Sequence, residues 1–324
     1  MNHRIAIDCH GGPEVLRWEA VDVPPPAAGE VRIRQQAVGV NFIDTYHRSG
    51  LYPLALPSGL GLEAAGVIEA VGEGVSGFAV GDRVGYTSGP LGAYAEVRNL
   101  DVRHVLKLPS AIRFEQAAAM LLQGITAHYL VHDSYPVRAG DNVLVHAAAG
   151  GVGSLLVQWA KLLGARVIGT VGSAAKAERA LALGCDEVIQ YREEAFAPRV
   201  RALTGGEGVA VVYDAIGHDT FADSLSCLRR RGMMVSFGNA TGPVAPFTCA
   251  QLQQGGSLYV TRPMLGDYIA SREELEQRSA ALFEVVGSGQ LRIDIGQHYP
   301  LREAAQAHRD LEARQTTGAS VLLV

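Results

Sequence analysis

The sequence predicts an α/β protein: a doubly wound parallel-sheet domain inserted into a β-rich domain that both ends of the chain build. The first hundred or so residues are short apolar segments broken by Gly and Pro, including PPP at Pro24–Pro26 and GEGVSG at Gly72–Gly77. From about Gly124, strand-like runs alternate with helical stretches, which points to right-handed crossovers and a parallel sheet. The chain then finishes on the apolar run ASVLLV, which needs a partner strand, and the first domain is the natural one. A length of 324 residues, 48% of them hydrophobic, suits two cores better than one. The expected division is 1–123 and 262–324 for the discontinuous domain and 124–261 for the inserted one, with a ligand in the cleft between them.

In chain order, β segments are expected at Arg4–Asp8, Glu30–Gln36, Gly66–Val71, Arg83–Tyr86 and Ala93–Val97. Asn142–His146 reads as a strand, followed by a helix over Gly151–Leu163 with Leu155, Leu156, Trp159, Leu162 and Leu163 on one buried face. Arg166–Val171 is a strand, and Ser173–Leu183 a helix ended by Gly184. Glu187–Tyr191, Val209–Tyr213, Met233–Phe237 and Leu258–Val260 supply four more strands, with helical stretches between the first three. Arg272–Gly287 and Arg302–Arg314 read as helices.

A net charge of −5 with 19% charged residues predicts no general pull toward nucleic acid or anionic membrane, so nucleic acid is not expected as the main partner. The N-terminus has no apolar core of signal-peptide length, and no apolar run approaches the roughly 18 residues of a membrane helix. A soluble cytoplasmic protein is expected. Cys9, Cys185, Cys227 and Cys249 are scattered and are expected to be small buried hydrophobes rather than a disulfide framework or a zinc lobe.

The stretch HAAAGGVG, His146–Gly153, joins a strand to a helix as a dinucleotide fingerprint does, in the register Ala148-x-Gly150-x-x-Gly153. The first glycine has become alanine, which asks only for a less tight turn. Gly150 and Gly153, which allow backbone approach to a pyrophosphate and close helix packing, remain, and the helix start offers free N–H groups. About twenty residues on, an NAD site places an acid for the ribose 2′-OH. Here that place is Thr170-Val171-Gly172-Ser173, followed by Lys176 and Arg179. A neutral strand end with a cation and a hydroxyl suits a 2′-phosphate, so NADPH is expected, with Tyr191 closing the same pocket. Arg179 is expected to be a solvated helix charge.

Gly140–Lys161, GDNVLVHAAAGGVGSLLVQWAK, resembles the signature of the zeta-crystallin-like quinone reductases of the medium-chain dehydrogenase/reductase superfamily. So do VGVNFIDTYHRSGLYP (38–53), LPSGLGLEAAGVI (56–68), GTVGSAAK (169–176), IQYREE (189–194), RRGMMVSFGNATG (230–242) and GSLYVTRP (256–263). The resemblance implies a GroES-like β-rich catalytic domain plus a Rossmann domain. It implies Asn41, Tyr46 and Tyr52 as catalytic residues, Asn41 and Tyr46 also touching the cofactor. For the cofactor it further implies Tyr129, Gly150, Gly151, Val152, Gly153, Gly172, Ser173, Lys176 and Tyr191. It adds Phe237, Gly238, Asn239, Ala240, Pro263, Met264, Leu265 and Arg314, the last having an ordinary alternative as a helix-end charge. In the family the segment corresponding to Gly255–Pro263 supplies a late edge strand through which two copies pair, so the resemblance implies a homodimer.

The superfamily also holds zinc alcohol dehydrogenases, whose catalytic metal uses a Cys in the early loop and a His in a G-H-E-x-x-G segment. Here the loop reads Asn41-Phe42-Ile43-Asp44 and the segment Gly61-Leu62-Glu63-Ala64-Ala65-Gly66. Leu62 and Asn41 cannot supply soft N and S ligands, so no metal is expected. His128 and His132, spaced i, i+4, have no third ligand nearby and are expected to pack or lie at the surface. Without a metal an alcohol is hard to activate, whereas a quinone needs less help, because its reduction gives a stabilised oxyanion. A zinc-independent, NADPH-dependent quinone reductase is therefore the expected function. Tyr46 and Tyr52 either donate a phenolic hydrogen bond to the developing quinol oxygen while staying protonated, or form apolar walls for an aromatic ring. The alternatives are an enone or double-bond reductase on the same scaffold, and a non-catalytic NADPH-binding protein with an RNA-binding or structural role.

Overall fold

The structure, a computed structural model, describes residues 1–324. Its strands and helices run β1 (Asn2–Ile7), β2 (Arg17–Val21), β3 (Glu30–Val40), α1 (Phe42–Ser49), β4 (Ser58–Gly59), β5 (Ala64–Val71), β6 (Arg83–Tyr86), β7 (Val97–Asp101), β8 (Leu106–Lys107) and α2 (Phe114–Tyr129). There follow β9 (Asn142–His146), α3 (Gly151–Leu162), β10 (Arg166–Val171), α4 (Ala174–Ala182), β11 (Glu187–Gln190), α5 (Phe196–Leu203), β12 (Val209–Asp214), α6 (Phe221–Cys227), β13 (Leu228–Ser236), α7 (Cys249–Gln254), β14 (Tyr259–Thr261) and α8 (Leu265–Tyr268). The last four are α9 (Arg272–Gly287), β15 (Ile295–Pro300), α10 (Ala304–Glu312) and β16 (Ala319–Leu323).

Two compact units divide the chain. The first comprises Met1–Gln123, Ile269–Gly289 and Ile293–Val324; the second comprises Gly124–Tyr268 and Gln290–Arg292. Residues 262–268 thus belong with the nucleotide-type unit, seven positions beyond the boundary read from the sequence. The cause is local: Arg262 Nη1 donates to the Ser236 carbonyl at 2.9 Å, and Tyr268 stacks on Tyr129, so the segment is tied to that unit's own elements.

In the first unit the main sheet follows β15-β16-β3-β5-β6-β8, with β7 also on β3. The terminal strand β16 pairs antiparallel with β3, Ser320 opposite Val40 and Leu323 opposite Ala37, and parallel with β15. Period-two burial explains β3: Val31 and Ile33 point into the core, while Arg34 is exposed. Ala93–Val97 is not a strand. The strand is β7, starting at Val97. Before it the backbone bonds to separate neighbours, Tyr94 N–H to Leu60 O at 2.9 Å and Ile5 N–H to Tyr94 O at 2.8 Å, with Ala95 in an isolated bridge to Arg4. The Tyr94 hydroxyl donates to Asp44 at 2.9 Å and lies 3.0 Å from His308 Nε2. The apolar core joins Ile5, Ile7, Ile33, Leu60, Ile68, Val84, Tyr86, Leu100 and Leu322.

The second unit holds a six-stranded parallel sheet in the order β11-β10-β9-β12-β13-β14. That order reverses beside β9, so the turn after β9 sits at the topological switch point where doubly wound sheets bind ligands. Leu144, Ile168, Ile189, Val212 and Met234 fill its core. Leu162 departs from the expected buried face of α3 and is 45% exposed, although Trp159 and Ala160 in the same last turn are buried. His128 and His132 pack together, 4.5 Å between ring centroids, and both set an edge against Trp159. Of the cysteines, Cys185 and Cys227 are buried, but Cys9 and Cys249 are exposed, in a bend after β1 and at the start of α7, where no core is available to receive them.

Candidate active site

The glycine-rich turn takes its shape from a residue other than the missing glycine. Ala147 adopts φ 52°, and Gly150 N–H donates to the Ala147 carbonyl at 2.8 Å, so the turn is tight without a glycine at its head. Its neighbour Ala148 is fully buried, and a Cβ on Gly169 of β10 would come within 2.8 Å of the Ala148 methyl. The glycine that accommodates Ala148 is therefore on the adjacent strand. A Cβ on Gly153 would collide with the Ala147 carbonyl, and one on Gly150 would lie 3.2 Å from it. The first bond of α3 runs from Ser154 N–H to Gly150 O at 2.8 Å. The N–H groups of Gly151, Val152 and Gly153 thus precede the first intrahelical donor and are available to an anion. Beneath the turn, His146 is held from both sides, Nδ1 2.8 Å from Thr170 Oγ1 and Nε2 2.9 Å from Ser224 Oγ. Burial lowers its pKa, so it braces β9 against β10 and α6 as a neutral ring.

At the end of β10, Gly172 lets Tyr191 approach: a Cβ there would meet the phenol oxygen at 2.7 Å and the Arg192 Nε at 3.6 Å. Ser173 N-caps α4 with an exposed side chain, and Lys176, in the first turn of that helix, is half-buried. This strand end carries hydroxyls and cations but no carboxylate. Arg179 is half-buried, not the solvated helix charge expected of it. Arg192 was not anticipated; its only sequence signal is its place directly after the Tyr191 position.

After β13, Phe237 N–H donates to the Asp214 carbonyl at 2.8 Å and Ala240 N–H to that of Ala215 at 3.2 Å, which folds Gly238 and Asn239 against the loop following β12. A side chain on Gly238 would run into the Ala215 backbone. The Asp214 carboxylate sets that loop by accepting from Ile216 N–H at 2.7 Å, Gly217 N–H at 3.2 Å and Thr220 Oγ1 at 2.7 Å. Tyr129, buried at the end of α2, stacks on Tyr268 of α8, the short helix that begins with Leu265; Pro263 is half-buried and Met264 is 59% exposed. All these residues lie in the second unit, and their cradle of glycines, helix N–H groups and cations fits a phosphorylated dinucleotide.

Asn41, Tyr46, Tyr52 and Arg314 lie in the first unit. Arg314 sits just past α10 with φ 59°, exposed. Asn41 N-caps α1, but its side chain turns elsewhere, and Asp44 closes the helix start by accepting from Asn41 N–H at 2.8 Å. The Asn41 carboxamide donates Nδ2–H to Glu63 Oε2 at 2.8 Å and accepts at Oδ1 from Gln123 Nε2 at 3.0 Å. Glu63 also accepts from Leu122 N–H at 2.7 Å. Burial raises the Glu63 pKa to about 8 and that of Asp44 to about 7, against the hydrogen bonds that lower both. Tyr46 is buried, and its ring packs against Tyr52 at 5.1 Å and Phe42 at 6.1 Å between centroids. Neither Glu63 nor Gln123 was singled out from the sequence; a lone acid inside the apolar run GLEAAGVI was the available signal.

Behind α1, Arg48 binds Glu312 through two bonds of 2.9 and 2.6 Å and meets His308 Nδ1 at 3.1 Å. A guanidinium only donates, so His308 carries its proton on Nε2, which faces the Tyr94 oxygen. Burial, with Arg48 beside it, lowers the His308 pKa to about 3. This chain ends at an arginine that gives up no proton, so it anchors α1 to α10 and is no proton path.

The zinc positions of related dehydrogenases hold groups that do not fit the metal: Leu62 offers carbon, and both ends of the Asn41 carboxamide are engaged. No group of three or more His, Cys, Asp or Glu side chains is placed to hold a metal ion.

Residues 27–110 match the family of alcohol dehydrogenase GroES-like domains, and residues 151–284 the family described as zinc-binding dehydrogenase. The chain is 52% identical to a quinone oxidoreductase of Salmonella typhimurium over the full length of both, and 47% identical to a 2-haloacrylate reductase of Burkholderia over 97% of this chain and 96% of that one. The crystal structure of Escherichia coli quinone oxidoreductase complexed with NADPH superposes with a TM-score of 0.97 at 50% identity, covering 99% of this chain and all of the other.

Proposed function

The chain belongs to the quinone oxidoreductase family of the medium-chain dehydrogenases and reductases, and from that membership we propose how its own residues carry the reaction. It is an NADPH-dependent, zinc-independent oxidoreductase that reduces quinones. Bound NADPH supplies a hydride to the quinone, and one further proton from solvent completes the hydroquinone.

Gly151, Val152 and Gly153 would receive the pyrophosphate on their backbone N–H groups, and Gly150, whose own N–H is taken by the Ala147 carbonyl, would let the backbone approach it closely. Ser173, Lys176 and Tyr191, joined by Arg192, hold the 2′-phosphate beside Gly172, where a charge-assisted hydrogen bond replaces the acid of an NAD site. Phe237–Ala240, Tyr129 and Pro263–Leu265 line the remainder of the cofactor, and Arg314 is assigned to it by family resemblance. Asn41 offers a donor N–H to the oxygen that becomes negative, and Tyr46 and Tyr52 form an aromatic shelf for a flat ring. With Tyr46 buried and its ring packed against Phe42 and Tyr52, shape is what the pair supplies.

The edge strand β14 has an unpaired side and carries Tyr259, 56% exposed, so a second copy pairing there would make a homodimer. The four cysteines are free thiols, which supports work in a reducing compartment such as the cytoplasm. No helix is long and apolar enough to cross a membrane. The strand end without an acid but with Lys176 and Arg192 is the observation that carries the cofactor assignment. The test is the initial rate of NADPH oxidation with 1,4-benzoquinone in chelator-dialysed protein. Turnover well above the uncatalysed rate, and a kcat/KM for NADPH far above that for NADH, are expected. No turnover in folded protein would overturn it.

A further inference from the structure

The Asn41 carboxamide is held at both ends by groups of opposite hydrogen-bonding character. Gln123 brings an N–H to its oxygen, and Glu63 brings an acceptor to its nitrogen. The Glu63 carboxylate, the form that prevails above about pH 8, cannot reverse its part, because its other oxygen already receives Leu122 N–H at 2.7 Å and both oxygens face donors. A proton on the oxygen facing Asn41 would permit the inverted amide, so the fixing role belongs to the ionised form. Asn41 and Gln123 are nearly buried and Glu63 is wholly so, which leaves no water to satisfy an inverted amide. After these bonds the amide keeps one N–H and one lone pair. A quinone oxygen only accepts, and it gains negative charge as it is reduced. The N–H stabilises it, whereas an inverted amide would present an oxygen and repel it.

We propose that Glu63 and Gln123 are positioning residues that fix which way round the Asn41 carboxamide sits, so that its second N–H meets the substrate oxygen. The inference rests on Asn41 belonging to the active site, as proposed above. The three residues come from separate parts of the first unit, the N-cap of α1, the residue before β5 and the middle of α2, and converge on one amide. A cluster serving stability alone needs only that every donor meet an acceptor, and either orientation would serve. That difference makes the inference testable.

Glu63→Gln and Gln123→Glu each set like against like at one end of the amide. The double variant exchanges the two ends: the carboxamide introduced at position 63 can still accept from Leu122 N–H, and an inverted Asn41 would satisfy every bond. Assayed above about pH 8, where Glu63 is ionised, each single variant is expected to lower Tm and to reduce kcat with 1,4-benzoquinone by about tenfold or more, less than the roughly hundred- to thousandfold lost when an oriented donor is removed outright. The double variant is expected to regain most of the Tm while its kcat stays about tenfold or more below the parent. Recovery of both Tm and kcat, or single variants with parental kcat, would overturn the proposal.

Should the double variant not accumulate, Gln123→Met keeps the side chain's length and apolar packing and decides the matter. A kcat reduced about tenfold with KM for the quinone changed by less than about threefold supports positioning, and an unchanged kcat overturns it. Asn41→Ala separates the two levels. Full activity in that variant removes Asn41 from the site, whereas an inactive Asn41→Ala beside a fully restored double variant removes only the positioning role.

Discussion

Tyr129 and Tyr268 stack face to face, with ring centroids 4.0 Å apart and planes within 8° of parallel. Tyr268 Oη also lies 3.0 Å from Ser134 Oγ. Through this pair the end of α2 holds the last residue of α8, and through that short helix the segment Pro263–Leu265 that leads into it. Tyr268→Ala removes a stack worth about 0.5–1.5 kcal/mol beyond the area it buries, so Tm should fall and the Kd for NADPH should rise by about tenfold. Tyr268→Phe keeps the ring and should bind NADPH nearly as the parent does. Fluorescence titration of the two variants checks this, and equal affinities would refute a holding role for the stack.

Two glycines of the cofactor cradle should respond differently to a methyl group. At Gly153 the new Cβ would run into the Ala147 carbonyl, which is backbone and cannot move alone, so Gly153→Ala should cost about 1–3 kcal/mol of stability and most NADPH binding. At Gly172 the obstacle is the tip of Tyr191, a side chain 37% exposed and free to swing outward. Gly172→Ala should therefore lose less than about 1 kcal/mol, close to the range of ordinary surface substitutions, while weakening NADPH binding through displaced Tyr191. Urea unfolding and NADPH titration on both variants separate these outcomes.

Cofactor choice should follow the cations beside Gly172. Lys176→Ala and Arg192→Ala each remove a charge offered to a 2′-phosphate and nothing that NADH would use. The ratio of kcat/KM for NADPH to that for NADH should drop about tenfold or more in each, one lost charge-assisted contact being worth about 1.5–3 kcal/mol. Steady-state kinetics with both cofactors measures it. A ratio unchanged in both variants would move the 2′-phosphate elsewhere.

What the sequence makes legible is whatever repeats locally. Strand and helix alternation over 142–236 reads directly, and the apolar end of the chain finds β3 because a strand so apolar has nowhere else to go. The half-exposed edge strand β15, IGQHYP, alternates in burial but not in residue type, with Gln297 among the inward positions and a single β-branched residue, and a Pro ends it, so only its pairing with β16 identifies it. Ala93–Val97 looks like a strand because its composition suits one, yet its backbone bonds go to separate neighbours, Tyr94 N–H to Leu60 and Ile5 N–H to the Tyr94 carbonyl. Only an isolated bridge from Ala95 to Arg4 forms, so no continuous ladder starts before Val97. The Asn41 cluster is hidden for a related reason. Its bonds span 22 and 82 residues, and nothing in the local pattern of a Glu or a Gln reports a partner that far along the chain.

Stability should fall as pH rises through neutrality. Glu63 has a folded pKa of about 8 against an ordinary 4.5, and Asp44 about 7 against 3.8, both because burial disfavours the charged form. Each binds a proton more readily folded than unfolded, so folding is favoured at low pH and loses ground between the unfolded and folded pKa values. His308 acts in the opposite sense, its pKa of about 3 lying below the ordinary 6.5, so its contribution grows as pH rises and is complete above about 6.5. Above that point nothing from His308 offsets the two carboxyls. Between about pH 6.5 and 8 the unfolding free energy should drop by roughly 1 kcal/mol per pH unit, chiefly through Glu63. Glu63→Gln starts from a lower stability but has no proton to lose there, so its slope over the same window should be visibly shallower. Urea midpoints at the two ends of the window measure both slopes, and parallel lines would show that Glu63 does not titrate in this range.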